Sequence, residues 1–92
     1  MTVTRINEFQ AAEGKAEELF NFLTSLMSSI SSSKGCLSCE LLRHTESSRQ
    51  FLVIEKWQSV EEHQASVQSF PKQEMQLAMQ FLGAAPKGNY YF

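Results

Sequence analysis

The sequence has few features that mark a specialised class of protein. Its eight Lys and Arg residues are fewer than its ten Asp and Glu residues, which gives a net charge of −2, and the basic residues form no cluster. Proteins that bind nucleic acid carry a basic stripe or patch. We therefore expect no nucleic acid partner.

Long apolar runs are also missing. No run approaches the roughly 18 apolar residues that a membrane-spanning helix needs. The first residues, MTVTRINEF, lack the basic and then apolar layout of a secretory signal peptide. These absences predict no membrane partner and a cytoplasmic location, where thiols stay reduced.

The length of 92 residues predicts one domain over 1–92. A chain of this size buries only about 60–65% of its unfolded surface, so its core is thin. Burial of further surface against a second copy would compensate for a thin core. We therefore expect a homodimer.

The spacing of apolar residues predicts the element order β-α-β-β-α-(α)-β. The predicted strands are 2–10, 36–44, 50–57 and 89–92, and the predicted helices are 15–32, 59–68 and 72–82. Ser59 and Glu62 form a capping box at the start of the second helix, and Pro71 separates that helix from the next. Met75, Ala78, Met79 and Leu82 are expected to point inward from the third helix, with Gly83 as its C-terminal cap.

This order is typical of the split βαβ, ferredoxin-like arrangement. Residues 45–49 are polar and short enough to connect an antiparallel hairpin. The predicted fold is therefore α+β, with a four-stranded antiparallel sheet and helices on one of its faces. The other face would be free to pair with a second copy.

Cys36 and Cys39 form a C-x-x-C pattern, which has two interpretations. One is a redox or metal site, and the other is a strand that contains two small apolar residues. In a regular strand, residues three apart point to opposite faces and lie about 10 Å apart, which is too far for a disulfide. No second cysteine pair or histidine pair completes a zinc site. The strand is favoured, and no metal is expected.

Three residues of the first strand, Arg5, Asn7 and Phe9, share one face. If that face looks at the helices, two hydrogen-bonding groups point into an apolar space, and buried polar groups need partners. A substrate oxygen is one such partner. The alternative is a partly solvated face on which Arg5 pairs with a carboxylate.

Other candidate site residues lie on the second helix and the third strand. His63 shares a helix face with Val60, Val67 and Phe70, near the positive end of the helix, which favours neutral imidazole that is usable as a base. The alternative is a packed histidine bonded to a carbonyl group. Trp57 is either a core residue or a wall of the pocket.

Five further polar residues are candidates for parts of a site. His44 ends a strand and is expected in solvent. Glu40 and Glu55 would repel one another as neighbours, so exposure or pairing with Arg43 or Arg49 is expected for both. Tyr90 and Tyr91 alternate, so one is expected to pack and the other to be solvated.

Four segments together resemble the antibiotic biosynthesis monooxygenase (ABM) family. They are EFQAAEGK, GCLSCEL, FLVIEKW and SVEEH, which follow the family's order and spacing over about residues 2–83. Lys34 stands where the family typically has a proline before Gly35. The resemblance implies a dimeric α+β barrel of two ferredoxin-like protomers, packed sheet to sheet and often exchanging the C-terminal strand. It also implies a small pocket between sheet and helices in each protomer.

The resemblance also implies candidate chemistry. Some family members oxygenate phenols or quinols without a cofactor, others degrade haem, and others bind small carbonyl compounds. Haem-degrading relatives use an Asn on the first strand, which Asn7 matches, but Ser66 stands at the position of their Trp and no His follows His63. Haem degradation is therefore not expected.

Two functions remain at this stage. The first is a cofactor-independent monooxygenase of a small aromatic such as a hydroquinone. Asn7 and His63 would be its catalytic residues, and Arg5, Phe9, Trp57 and Phe70 would bind the substrate. The second is a non-catalytic small-molecule-binding or interaction dimer with the same fold.

Overall fold

A computed structural model describes residues 2–92, in which there are four strands and three helices. They are β1 (Val3–Gln10), α1 (Ala16–Ser31), β2 (Cys36–Arg43), β3 (Gln50–Trp57), α2 (Val60–Ser69), α3 (Lys72–Met79) and β4 (Lys87–Tyr91). The predicted order and the α+β class are confirmed. Within residues 2–92, no helix combines the length and the apolar character needed to cross a bilayer.

The strands form one sheet in the order β2-β3-β1-β4, and every neighbouring pair is antiparallel. The predicted hairpin of β2 and β3 is therefore confirmed. We call the face of the sheet that packs on the helices the inner face, and the opposite face the outer face. The alternation of buried and less buried residues along β3 reflects these two environments.

The core lies between the inner face and α1. Leu19 and Leu23 of α1 pack with Phe51 and Val53 of β3 and with Ala11, and all five are buried. The apolar stripe of α1 recurs at helical spacing, so one side of the helix covers the sheet while the other faces water. This core lies beside the ends of β1 and β3 that carry Phe9 and Phe51.

The start of α2 is determined by local chemistry. The Ser59 hydroxyl oxygen accepts a hydrogen bond from the Glu62 backbone N–H at 3.2 Å, as the predicted cap requires. Gly35 has a φ of +87°, and a Cβ there would lie 2.6 Å from the Glu62 Cβ atom. Glycine tolerates a positive φ and has no Cβ to clash with Glu62. Gly35 therefore allows β2 to begin against the first turn of α2.

The third helix differs from the prediction. It ends at Met79 rather than at residue 82, because the backbone of Leu82 pairs with Ala11 in an isolated β-bridge. Only Ala78 of this helix is buried, whereas Met75 is half exposed and Met79 is 69% exposed. The expectation that both methionines point into the core was therefore wrong.

The strand β2 confirms the strand interpretation of the C-x-x-C pattern but corrects its geometry. Cys36 lies opposite Trp57 and Cys39 lies opposite Glu55, which is possible only because Leu37 is an extra residue that forms a β-bulge. Both cysteines therefore share the inner face instead of pointing to opposite faces. Both are free thiols.

Candidate active site

A row of polar residues crosses the inner face of the sheet. The strand registers place Cys39, Glu55, Arg5 and Tyr90 side by side on β2, β3, β1 and β4. Neighbouring strands lie about 4.8 Å apart, so adjacent members of such a row are within reach of one another. Each of the four strands therefore contributes one ionisable side chain to a single row across the sheet.

The carboxylate of Glu55 is the hydrogen-bonding centre of this row. It is only 4% exposed, and its two oxygens accept hydrogen bonds from Trp57 Nε1 at 2.8 Å and from Asn7 Nδ2 at 2.9 Å. Asn7 Oδ1 in turn accepts a bond from Arg5 Nε at 3.0 Å. The expectation that Glu55 is exposed or paired with Arg43 or Arg49 was wrong, because Asn7 and Trp57 provide its partners inside the protein.

The helix α2 brings His63 over this row. Its Nδ1 atom lies 2.6 Å from the Tyr90 hydroxyl oxygen, and its Nε2 atom lies 3.8 Å from a Glu55 carboxylate oxygen. The Trp57 and Tyr90 rings meet the imidazole edge to face, with centroids 5.4 Å and 5.3 Å away. The guanidinium carbon of Arg5 lies 4.6 Å from the centre of the Tyr90 ring. We call these six residues, Arg5, Asn7, Glu55, Trp57, His63 and Tyr90, the polar cluster.

Burial and charge shift the pKa values within the polar cluster. Burial lowers the pKa of His63, and the nearby Arg5 charge lowers it further. Burial raises the pKa of Glu55 more than the hydrogen bond from Trp57, the charge of Arg5 and the hydrogen bond from Asn7 together lower it. Both shifts disfavour a charged pair, and the 3.8 Å between His63 and Glu55 is too long for a hydrogen bond. Neutral imidazole is therefore favoured.

The two thiols lie near the same carboxylate. Burial raises the pKa of Cys39, and Glu55 adds to the effect. Burial also raises the pKa of Cys36, with smaller contributions from Cys39 and Glu55. Thiolates are therefore disfavoured at this edge of the cluster. Within residues 2–92, no group of three side chains is arranged to hold a metal ion.

Gly88 makes room for the cluster on β4. It lies opposite Asn7 on the inner face, and a Cβ there would lie 2.5 Å from Asn7 Oδ1 and would overlap the Arg5 guanidinium. Its backbone φ is not in the left-handed region, so the requirement for glycine is one of space alone. The absent side chain lets Arg5 and Asn7 extend over β4.

An apolar cavity of about 490 Å³ lies next to the polar cluster along β1. It opens between α1, α3 and the segment before β4, and Phe9, Phe22, Met75 and Pro86 are among its lining residues. Phe9 follows Asn7 by two residues on the inner face, which is about 7 Å along a strand. A second cavity of about 510 Å³, near the loop between β2 and β3, is also lined by Phe9. No side chain of the polar cluster lines either cavity.

The family model for antibiotic biosynthesis monooxygenases matches residues 2–79. The chain belongs to the antibiotic biosynthesis monooxygenase family. No curated protein sequence matches it significantly. The matched residues include five of the six members of the polar cluster, all except Tyr90.

Solved structures with the same fold share little sequence with this ABM protein. SnoaB, a cofactor-independent oxygenase from Streptomyces nogalater, is 14% identical with a TM-score of 0.83, over 99% of this chain and 91% of its own. PA3566 from Pseudomonas aeruginosa is 22% identical with a TM-score of 0.85, over 99% of this chain and 92% of its own. A conserved protein from Methanosarcina mazei Go1 is 18% identical with a TM-score of 0.88, over 99% of this chain and 91% of its own. These likenesses show the fold.

The structure of this ABM protein brings some of the predicted site residues together. Arg5, Asn7 and His63 meet in the polar cluster together with Trp57, which is buried and donates its indole N–H to Glu55. Phe9 lies outside the cluster and lines the apolar cavity. Phe70 is half-buried at the end of α2 and lines neither cavity. The catalytic and binding roles given to these residues stay predictions.

Sequence reasoning missed Glu55 and Tyr90 as members of the cluster. A signal for Glu55 was present, because it shares a strand face with Phe51, Val53 and Trp57, all apolar. A carboxylate on such a face must have buried partners. For Tyr90, the alternation with Tyr91 indicated that one ring packs, and the register with Arg5 shows which one.

Proposed function

We propose that this protein is a cofactor-independent monooxygenase of a small aromatic substrate, a phenol or hydroquinone. The observation that supports it is the convergence of Arg5, Asn7 and His63 in one polar cluster beside an apolar cavity. The family match and the likeness to a cofactor-independent oxygenase point in the same direction.

The proposed substrate position follows from Phe9 and Asn7. An aromatic ring in the apolar cavity would lie against Phe9, and its hydroxyl would point along β1 toward Asn7 and Arg5. The positive charge of Arg5 and the amide of Asn7 would stabilise the phenolate oxygen. Trp57 and Phe70 are proposed as more distant walls of the same site.

The proposed reaction uses the substrate itself as reductant. Loss of the hydroxyl proton, accepted by His63, makes the substrate electron-rich enough to pass an electron to dioxygen. One oxygen atom enters the ring and the other leaves as water, so that a phenol and O₂ yield a quinone and H₂O. The protein has to hold the anion, exclude bulk water and manage the proton.

Oxygen consumption with a panel of phenols and hydroquinones tests this proposal. We expect turnover that falls about 10²-fold or more in His63→Ala, the size typical of general base catalysis, and also falls in Asn7→Ala. His44→Ala is the matched control, since His44 is exposed and its Nδ1 atom accepts bonds only from the Glu46 and Ser47 backbone. Turnover that His63→Ala and His44→Ala affect equally would contradict the proposal.

The alternative function is a non-catalytic small-molecule-binding dimer, and one observation favours it. Within residues 2–92, every fully buried side-chain nitrogen or oxygen has a hydrogen-bond partner, so no such atom of the cluster needs a ligand. Trp57 is the single tryptophan of the chain and reports directly on the cluster. Quenching of its fluorescence by 1,4-dimethoxybenzene, without oxygen consumption on any hydroquinone, would support this alternative.

We also propose a cytoplasmic homodimer that forms through the outer face. Ile6 and Ile54 are direct neighbours there, with Leu52 and the half-exposed Leu42 beside them. An apolar patch of this kind on a sheet is stabilised when a second copy covers it. The proposed partners of the protein are a small aromatic molecule and a second copy of the chain. Neither a nucleic acid nor a membrane is proposed as a partner.

A further inference from the structure

His63 is shielded from direct contact with a substrate. Its side chain is only 8% exposed, and its ring nitrogens face groups of the cluster, Nδ1 the Tyr90 hydroxyl and Nε2 a Glu55 oxygen. A general base must lie within about 2.6–3.2 Å of the proton that it takes, or reach it through an intermediary. Tyr90 is half-buried whereas His63 and Glu55 are buried, so Tyr90 is the most exposed of the three residues.

We propose that Tyr90, His63 and Glu55 form a proton relay in which the Tyr90 hydroxyl takes the substrate proton and passes its own proton to His63. The relay rests on the proposed oxygenase function. It adds a catalytic residue, Tyr90 of β4, and a positioning residue, Glu55 of β3, to the residues found from the sequence.

The tautomer of His63 follows from its partners. Both Glu55 oxygens accept hydrogen bonds, from Trp57 and Asn7, so Glu55 acts as an acceptor, and the relay assigns the imidazole hydrogen to Nε2, which faces that carboxylate across 3.8 Å. Nδ1 is then unprotonated, and the Tyr90 O–H donates to it across 2.6 Å. A hydroxyl, an imidazole and a carboxylate in series are the parts that activate nucleophiles in hydrolases. Here the same series moves a proton.

The orientation of the relay is fixed from two sides. Trp57 donates its indole N–H to the same Glu55 oxygen that Nε2 of His63 faces, so that oxygen is held in place. The Trp57 ring also meets the imidazole at an interplanar angle of 73°. Neither contact reaches a substrate, so both act on the position of His63.

The step balances without any electron transfer. The substrate O–H bond breaks and a new O–H bond forms on Tyr90, while the original Tyr90 O–H bond breaks and an N–H bond forms at Nδ1. The substrate becomes an anion beside Arg5, and His63 becomes an imidazolium beside Glu55. The proton returns when the reduced oxygen atom leaves as water.

Nitrogen NMR of the ¹⁵N-labelled histidines tests the geometry without any substrate. In the wild type at neutral pH we expect His63 to carry its hydrogen on Nε2. Tyr90→Phe should shift the Nδ1 signal of His63, whereas Tyr91→Phe should leave it in place, because Tyr91 lies on the outer face. A wild-type His63 with its hydrogen on Nδ1, or equal shifts in both variants, would overturn the relay.

Kinetics test the catalytic role. Tyr90→Phe removes one oxygen atom and keeps the ring under Arg5, and we expect kcat to fall about 10²-fold with little change in KM. The loss should shrink for halogenated hydroquinones, which give up their proton more readily. A purely structural role of Tyr90 would lower turnover of all hydroquinones equally, and this result would overturn the relay.

The outcomes separate the two proposals. Full turnover in Tyr90→Phe overturns the relay and leaves the oxygenase function intact. No oxygen consumption by the wild type with any phenol or hydroquinone overturns the oxygenase function and the catalytic relay together. Should Tyr90→Phe fail to fold, the wild-type tautomer and Glu55→Gln, which should shift the Nε2 signal of His63, still decide the geometry.

Discussion

Replacement of Glu55 by alanine should be among the most destabilising changes to this protein. The substitution removes the acceptor of two donors, Trp57 Nε1 and Asn7 Nδ2. A buried donor left unsatisfied costs about 1–3 kcal/mol. Trp57 is 1% exposed, so its unpaired indole N–H bears the full cost, whereas Asn7 is partly exposed and can bond to water instead. Relief of the carboxylate's own desolvation offsets part of the sum, so we expect a net loss of about 3 kcal/mol.

The assay is urea unfolding at one fixed protomer concentration, since association would add to the apparent stability. For a domain of this size, a loss of about 3 kcal/mol corresponds to a Tm lower by about 12–24 °C. Glu55→Gln keeps one acceptor and should cost about 1 kcal/mol. Glu13→Ala is the control, because Glu13 is exposed in the turn between β1 and α1 and its loss should cost less than about 0.5 kcal/mol. Equal losses in Glu55→Ala and Glu13→Ala would refute the reasoning.

Three further predictions concern pH, space and association. The pKa of His63 is lowered on folding, so its contribution to stability is present above about pH 6.5 and is lost as the pH falls; the wild type should lose stability below that pH relative to His63→Gln. Gly88→Ala should displace Arg5 and reduce kcat/KM for hydroquinones by up to about 10²-fold, with little change in Tm. The wild type should sediment as a dimer and Ile54→Glu as a monomer, whereas Gln64→Glu, an exposed change on α2, should remain dimeric.

Each of these predictions has an outcome that contradicts it. Identical pH profiles of stability for the wild type and His63→Gln would mean that the histidine is solvated. Gly88→Ala with full activity would mean that Arg5 has room elsewhere. A wild type that sediments as a monomer at micromolar concentration would remove the outer-face dimer.

The elements of the fold were predictable because their signals are local. Alternation in β3, the helical spacing of Leu19 and Leu23, and the Ser59 cap each depend on a few neighbouring residues. The end of α3 was not predictable, because a backbone bridge between Leu82 and Ala11, residues far apart in the chain, determines it. Propensity describes a segment by itself and carries no information on such a competing partner.

The candidate site was only half predictable for the same reason. Arg5 and Asn7 were found because they alternate on one strand, and His63 because it lies on a short helix. The contact between His63 and Tyr90 joins residues 27 positions apart, and the bond of Asn7 to Glu55 joins residues 48 apart. These contacts depend on the register between strands and on the packing of α2, which cannot be read directly from the sequence.

Because β2 contains an extra residue, Leu37, counting residues along the strand does not give the face on which Cys36 lies. Every residue after Leu37 keeps a regular register with β3, from Ser38 opposite Lys56 to Arg43 opposite Phe51. Only the residue before it is displaced by one position relative to simple alternation. Loss of Leu37 would thus leave Cys36 on the helix side of the sheet, since the pattern Cys-Ser-Cys of a regular strand places both thiols on one side. Strand β2, an edge strand, can therefore lose this one residue while its other side chains keep their faces of the sheet.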